Sequence, residues 1–467
     1  MPSVRSDKFP DRFLYIGLLI LVASAPMPLG SNRDWSWSVL EIWSFLLALL
    51  WLVLFMRHRV SITPVFQRAR PVLFLFCLWL LWILFQITPL PAGIVEILSP
   101  VAAAQYAALP GAPPEWITLS VEPHATQSGF LKSLAYILVF SLALLLVTTH
   151  KRVQQLAYVL ILSGLFQAVY GSLMTMSGLE YGFFIKKTTS LGHVSGTFTN
   201  RNHLAGYLVM CLSTGIGIMI ANLDNRTGFS WKQRLHYLVQ LSLSAKFRLR
   251  LTLVIMVIAL VMTHSRMGNS AFFASLLSTG LIALLLYRHA LRSTIILIAS
   301  LVIIDIFIVG TWFGVEEVVE RIEQTSLESE HRDETDIHVL DQWQDYRLTG
   351  SGLGSFYAVF PKYKNELEAG GFYRHAHNDY LEFASETGLI GCALLGMIVI
   401  WTMGVALVAQ YRRGDPLMRG ISFAAIMGIT AILIHSTVDF NLQIPANALT
   451  FMLLMAMAWL SLHLKHH

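Results

Sequence analysis

The chain has 467 residues, 55% hydrophobic and only 13% charged, with a mean hydropathy of +0.60. Soluble domains carry about 25% charged residues, so a share near half of that excludes a protein dissolved in water along its whole length. The net charge of +5 and pI near 9.0 do not point to nucleic acid, because the basic residues are dispersed among short loops, where membrane topology accounts for them. Cys77, Cys211 and Cys392 all lie inside apolar runs. They read as small buried hydrophobes and say nothing about redox compartment.

Apolar runs long enough to span a bilayer, about 17–25 residues, recur twelve times. The first, Phe13–Gly30, follows basic residues but lacks a small-residue cleavage site leading into a soluble chain, so it is expected to stay as a span. The others fall at Trp37–Met56, Val72–Pro89, Phe130–Val147, Val153–Ser177, His203–Ala221, Leu249–Thr263, Ala271–Tyr287, Thr294–Phe313, Glu386–Val408, Gly420–Ser436 and Ala446–Leu464. The expectation is an all-α polytopic membrane protein, one integral-membrane domain over residues 1–467.

Orientation follows from charge. With both termini cytoplasmic, 21 of the 33 Lys and Arg residues fall on the inside, among them Arg57, Arg59, Arg68, Arg70, Lys151, Arg152, Arg412 and Arg413. Six of the other twelve lie in one long outer loop between spans nine and ten, residues 314–385, which the positive-inside rule weights lightly. That loop opens with the acidic stretch VEEVVERIEQ and turns at GSGLGSF. The glycine pattern lacks the Lys-Ser/Thr of a phosphate loop and any strand–helix context, so it reads as a flexible turn. A second outer segment, Leu90–Gly129, is rich in Pro, Ala and Gly and is expected to pack on the membrane surface.

This topology puts four polar groups on the outer ends of spans. GTFTNRNHLAGYL carries Asn200, Arg201, Asn202 and His203; THSRMGNS carries His264, Ser265 and Arg266. FYRHAHNDYLEFASETGLIG, from Phe372 to Gly391, carries Arg374, His375, His377, Asn378 and Asp379. HSTVDFNLQIPAN carries His435, Asp439, Asn441, Gln443 and Asn447. Taken singly, each has a plain explanation: Arg201 and Arg266 as snorkelling interfacial residues, the histidines as caps or packing groups, Asp379 as a helix cap. Charged groups at a membrane surface are expensive to keep, however, and four such groups on one side call for a common use. Two arginines brought together from distant parts of the chain suit an anion, since planar guanidinium forks bond phosphate oxygens bidentately. H-x-H is a weak metal spacing and no cysteine lies nearby, so no metal is expected.

These motifs, in this order on twelve spans, resemble those of the O-antigen ligase/polymerase family of bacterial inner-membrane glycosyltransferases, from about Tyr158 to Leu464. The strongest likeness is HAHNDYLEFASETGLIG, supported by GTFTNRNHLAGYL, the Ser265–Arg266 pair, GSGLGSF and HSTVDFNLQIPAN. The chain departs from the pattern at Arg201, where proline is common. The resemblance implies a GT-C-like enzyme that takes a glycan from undecaprenyl diphosphate at the periplasmic face. It would pass that glycan to a sugar hydroxyl of lipid A-core, as a ligase, or of another lipid-linked glycan, as a polymerase, without metal or other cofactor. The partners expected are these lipid substrates and membrane lipids, not nucleic acid. With that implication, His377 is expected as general base, supported by His375 and with Asp379 or a backbone carbonyl fixing its tautomer. Arg266, Arg201 and Arg374 are expected to hold the diphosphate, with Asn378 and His435 also contacting substrate. A third reading, a transporter of lipid-linked glycans, would place polar groups near mid-membrane at broken helices, whereas most span interiors here are apolar, Asp305 excepted.

Overall fold

Proline opens many of the helices. Pro71, Pro123, Pro416 and Pro445 each sit in the first turn of a long helix, where the missing N–H would have no intrahelical partner anyway. The structure, a computed structural model, describes residues 8–223, 245–286, 336–364 and 373–465. Among them run eleven long helices: α1 (Lys8–Ser24), α2 (Asp34–Met56), α3 (Arg70–Ile87), α4 (Pro123–Leu146), α5 (His150–Met176), α6 (Arg201–Ala221), α7 (Ala245–Met262), α8 (Arg266–Leu286), α9 (Asp379–Arg412), α10 (Pro416–His435) and α11 (Pro445–His463). They coincide with eleven of the twelve predicted spans. The twelfth, Thr294–Phe313, lies outside the described residues, as do Asp305 and the acidic opening of the long loop. Nine of the eleven, all but α1 and α7, are long and apolar enough to cross a membrane. The chain is therefore an all-α, multi-pass membrane protein, while the full count of twelve and its orientation rest on the sequence.

Two helix starts differ most from expectation. Phe130 and Glu386 were the predicted first residues, but α4 begins at Pro123 and α9 at Asp379. In both places a polar first turn, PHATQSG and DYLEFAS, extends the helix past the apolar run that betrays it. The rest of the outer segment, Leu90–Glu122, folds as two short helices, Ala92–Leu98 and Pro100–Ala107, and a two-residue strand pair. It buries Val95, Ala102, Ile117 and Leu119 against Tyr346 and Val359 of the long loop. Its packing partner includes protein as well as any membrane surface.

Helix placement follows burial. The spanning windows of α6 and α11 are 89% and 94% buried, against 22% for α2, so the first two are central and α2 is peripheral. Helices α6 and α10 cross at Gly217 and Gly420, where a Cβ on either would strike the other's carbonyl oxygen. Small residues admit such close backbone approach in membrane bundles.

The bundle has two chemically distinct ends. At one, Arg152 pairs with Asp11 at 2.6 Å, His150 Nε2 meets Asp415 Oδ2 at 2.8 Å, and Arg413 donates to the carbonyls of Ser461 and Leu464. The start of α1, the α4–α5 and α9–α10 turns and the end of α11 therefore meet there. This is the basic end. At the opposite, histidine end lie the starts of α6, α8 and α9 and the α10–α11 turn.

Helix α9 is broken on the way. Gly388 has φ 64° and ψ −174°, a region essentially reserved for glycine, and a Cβ there would collide with the Leu348 carbonyl. The segment 347–352 docks into the break. N–H groups of Ser351, Gly352 and Leu389 donate to Ser385 O (2.9 Å), Glu386 O (2.8 Å) and Arg347 O (2.9 Å). The Gln86 side-chain amide on α3 donates to Thr349 O and Glu386 O at 2.8 and 2.9 Å. GSGLGSF, expected as a flexible turn, is instead mostly buried and bonded into the bundle. It sets where the outer third of α9 points.

Candidate active site

The first turn of α9 is fixed from three directions. Asn378 caps it, its Oδ1 accepting from Tyr380 N and Leu381 N at 3.1 and 3.3 Å. Asp379 is 1% exposed, and its Oδ2 accepts from the Ser436 hydroxyl at 2.6 Å and from Leu442 N at 3.0 Å. The Asp379 N–H in turn donates to Ser436 O and Asp439 O. Asn378 and Asp379 thus tie α9 to the α10–α11 turn. Asp379, expected to set the tautomer of His377, has its bonded oxygen on that turn instead, and the carboxylate beside His377 is Asp439.

Asp439 is the hub. Its Oδ1 lies 3.7 Å from His203 Nε2 and 3.9 Å from His377 Nδ1, and its Oδ2 lies 3.6 Å from His435 Nε2. Burial opposes charge on this carboxyl, but the nearby His203, His435 and His377 more than offset it and hold it well below the usual carboxylate range. Phe440 fills the space between the imidazoles. His375 stacks on it at 4.4 Å between centroids, and His203 and His377 meet it edge-on at 4.5 and 4.8 Å. Three of the four polar groups seen in the sequence therefore converge.

Exposure separates the histidines. His203 and His435 are 2% exposed, His375 is 24% and His377 is 35%. His377 also has φ +55°, uncommon for a residue with a side chain and typical of strain held at working sites. Its Nδ1 is the nitrogen turned to Asp439. His375 is held differently: its Nδ1–H donates to Glu382 Oε1 at 2.7 Å, while Ala376 N donates to Glu382 Oε2 at 2.7 Å. Glu382 was missed in the sequence, although its place three residues into α9 after Asp379 puts it on the same helical face. Phe440 carried no signal at all.

The arginines divide. Arg201 and Arg266 are the first residues of α6 and α8, and Gly268 abuts Ala205, so two helix N-termini, each with an arginine, lie side by side. Aligned peptide dipoles and N–H groups there favour an anion. The start of α6 also carries His203, which links this pair to Asp439. Arg374 lies elsewhere, lining a cavity of about 740 Å³ with His375, Glu382 and Lys132. His264 packs edge-on with His193, Nδ1 to Nδ1 at 3.2 Å, and its Nδ1 is 3.0 Å from Met262 O. Asn447 donates to His203 O and to Asn441 Oδ1, at 3.0 and 2.9 Å, and fixes the start of α6. Among the described residues no group of three His, Cys, Asp or Glu side chains is disposed to hold a metal ion.

Over residues 251–396 the chain matches the family model described as Wzy_C, O-Antigen ligase. That match, over less than half of the chain, supports the O-antigen ligase/polymerase family. No curated protein matches it. The likeness to O-antigen ligases supports, at a coarse level, an enzyme of glycosyl transfer in polysaccharide assembly. The matched residues take in most of α7, α8, the docked segment 347–352 and the outer part of α9, and with them Arg266, Arg374, His375 and His377. They leave out His203, His435 and Asp439, which complete the cluster from α6 and the α10–α11 turn, and all of α1–α4.

Proposed function

We propose that the chain transfers a glycan from undecaprenyl diphosphate to a sugar hydroxyl at the periplasmic face of the bacterial inner membrane, as an O-antigen ligase with lipid A-core as acceptor. The observation that carries this reading is the partly exposed, strained His377 whose inner nitrogen faces the ionised Asp439. His377 Nε2 takes the proton from the acceptor hydroxyl as its oxygen forms the bond to the anomeric carbon. The bond from that carbon to the diphosphate breaks, its electron pair leaving with the lipid diphosphate. Direct displacement inverts the anomeric centre. Asp439 stabilises the imidazolium that forms. Arg266 and Arg201, at the two helix N-termini, receive the charge that develops on the diphosphate. His375 and Arg374 face the acceptor side, and no step calls for a metal.

A polymerase with a lipid-linked glycan as acceptor shares every one of these steps and differs only in what brings the hydroxyl. Mass spectrometry of products separates the two. Purified protein offered lipid-linked glycan alone and with lipid A-core is expected to give the core-linked product. Lengthened lipid-linked chains would instead mean a polymerase, and no transfer with either acceptor would overturn the reading.

A further inference from the structure

The 740 Å³ cavity is within the size range of small-molecule sites, and its chemistry is not that of an anion site. Three carboxylates on one face of α9, Asp379, Glu382 and Glu386, line its upper part. Their spacing of three and then four residues sets them on one stripe of the helix. Two of them are incompletely used. Glu386 is 1% exposed, and its Oε1 accepts from Phe356 N at 3.0 Å, while its Oε2 is buried with no hydrogen-bond partner among the described residues. Asp379 Oδ1 and Gln443 Nε2 are buried in the same condition, and both residues line the same cavity. Buried polar atoms are nearly always satisfied, so two acceptors and a donor on residues that line one cavity point to what its occupant would supply.

The opposite wall comes from α2–α4. Trp37 and Trp79 present aromatic surface, and Lys132 Nζ lies 3.6 Å from the Trp37 ring centroid. Glu41, Asp34 and Glu386 lie around Lys132. Lys132 and Arg374 are interspersed with Asp34, Asp379, Glu382 and Glu386 in the lining, so the cavity is not a cluster of cations. Hydroxyl groups fit, since each both donates and accepts, and aromatic faces suit the C–H faces of a sugar ring. Below the carboxylates the lining turns apolar, through Phe76, Ile398, Phe451 and Met455. On α9 it continues from Glu386 to Ile400, roughly 20 Å at the helical rise, or more than the ~15 Å depth of one leaflet.

We propose that this cavity is the acceptor chamber, that it takes the uncharged, hydroxyl-rich sugar end of the lipid-carried acceptor, and that Glu386 and Trp37 select it. His375 lies at its mouth, so the acceptor hydroxyl arrives from the α2–α4 side while the diphosphate approaches from the α6–α8 side. The inference rests on the transferase reading for its consequence but not for its test. The half of the chamber formed by α2–α4 lies outside the residues that match the family model, and is where this chain sets its own acceptor preference.

The test is photolabelling of the full chain in lipid nanodiscs with three diazirine probes of equal chain length: an alkyl glucoside, an alkyl phosphate and a plain alkane. The glucoside is expected to label α2–α4 and α9 several-fold above the other two. Labelling should fall about tenfold in Glu386→Gln and in Trp37→Phe, and stay at the wild-type level in His377→Ala. In turnover, Glu386→Gln should raise KM for the acceptor with KM for the donor unchanged. Equal or stronger labelling by the alkyl phosphate would make this an anion site, and equal labelling by the alkane would make it a lodging for bilayer lipid. Either overturns the proposal, as does glucoside labelling that neither variant reduces. Should transfer activity fail with every acceptor while glucoside labelling behaves as expected, the transferase reading falls and the saccharide site stands.

Discussion

The two ends of the bundle hold similar residue types and use them in opposite ways. At the basic end charges close onto partners: Arg152 on Asp11 at 2.6 Å, His150 on Asp415 at 2.8 Å. At the histidine end three imidazoles surround Asp439 at 3.6–3.9 Å, beyond hydrogen-bond length, and buried polar atoms of His203, His435 and Asp379 lack hydrogen-bond partners among the described residues. A pair that only stabilises gains most by closing. A site that moves a proton and holds a developing charge needs groups poised but not consumed. The difference teaches that in this membrane protein unmet polar capacity, rather than charge itself, marks the working end.

The largest effect expected from breaking this contrast is at His377. His377→Ala should lower the transfer rate by about 10²–10⁴ while the protein still inserts and purifies as a folded species. Full activity in a product assay would remove the base from the mechanism. Arg266→Lys comes next, with a loss of about tenfold to a hundredfold, because an ammonium keeps the charge but not the planar fork. The defect should appear in donor kinetics and spare the acceptor KM; wild-type turnover would move the diphosphate elsewhere. Asp439→Asn should cost up to about a hundredfold in rate, the low end of what a general base supplies. It should also leave a signature in stability. The Asp439 carboxyl is depressed in the folded state, so its contribution is complete above the ordinary value of about 3.9 and fades as pH falls toward the depressed one. Wild-type protein should therefore lose stability below about pH 4 more steeply than Asp439→Asn. Parallel pH curves would show that the imidazoles do not hold the carboxylate ionised.

Much of this was legible in the residues alone. Apolar runs placed eleven described helices because lipid demands continuous hydrophobic length, and the positive-inside pattern grouped residues, such as Arg152 and Arg413, that meet at one end. His203, His375, His377 and His435 were all visible as polar groups at span ends. What stayed hidden depends on contacts between distant segments. Nothing local distinguishes Asp439 from Asp379 as the partner of His377, since the choice is made by the turn after α10. The polar starts of α4 and α9 were missed because hydropathy stops where the lipid stops, whereas a helix does not. The GSGLGSF turn looked mobile for its glycines, yet Gly350 and Gly352 take positive φ so that the backbone can lie in the α9 break. Gly388→Ala tests that account: with φ +64° and a Cβ against the Leu348 carbonyl, it should destabilise the protein by about 1–3 kcal/mol. Unchanged thermal stability would mean that the break relaxes without effort.

The smallest effect is expected at the basic end, and there it is informative for being confined. Asp415 caps α10, its Oδ1 accepting from Leu417 N at 2.9 Å and Met418 N at 3.1 Å, while Oδ2 meets His150. Burial raises its pKa, but the Met418 N–H and His150 outweigh that and hold it below the usual range. Asp415→Ala removes both the cap and the pair. Loss of a cap costs about 1 kcal/mol, and a partly exposed ion pair adds little to that. Thermal stability should fall by that amount while kcat and both KM values hold at wild-type levels, because every group involved lies a full helix length from His377. If turnover instead fell with stability, as it would were α10 a lever between its capped start and the Asp439 turn at its far end, the two ends would be one coupled device. The division between closed and open charge would then describe geometry without describing function.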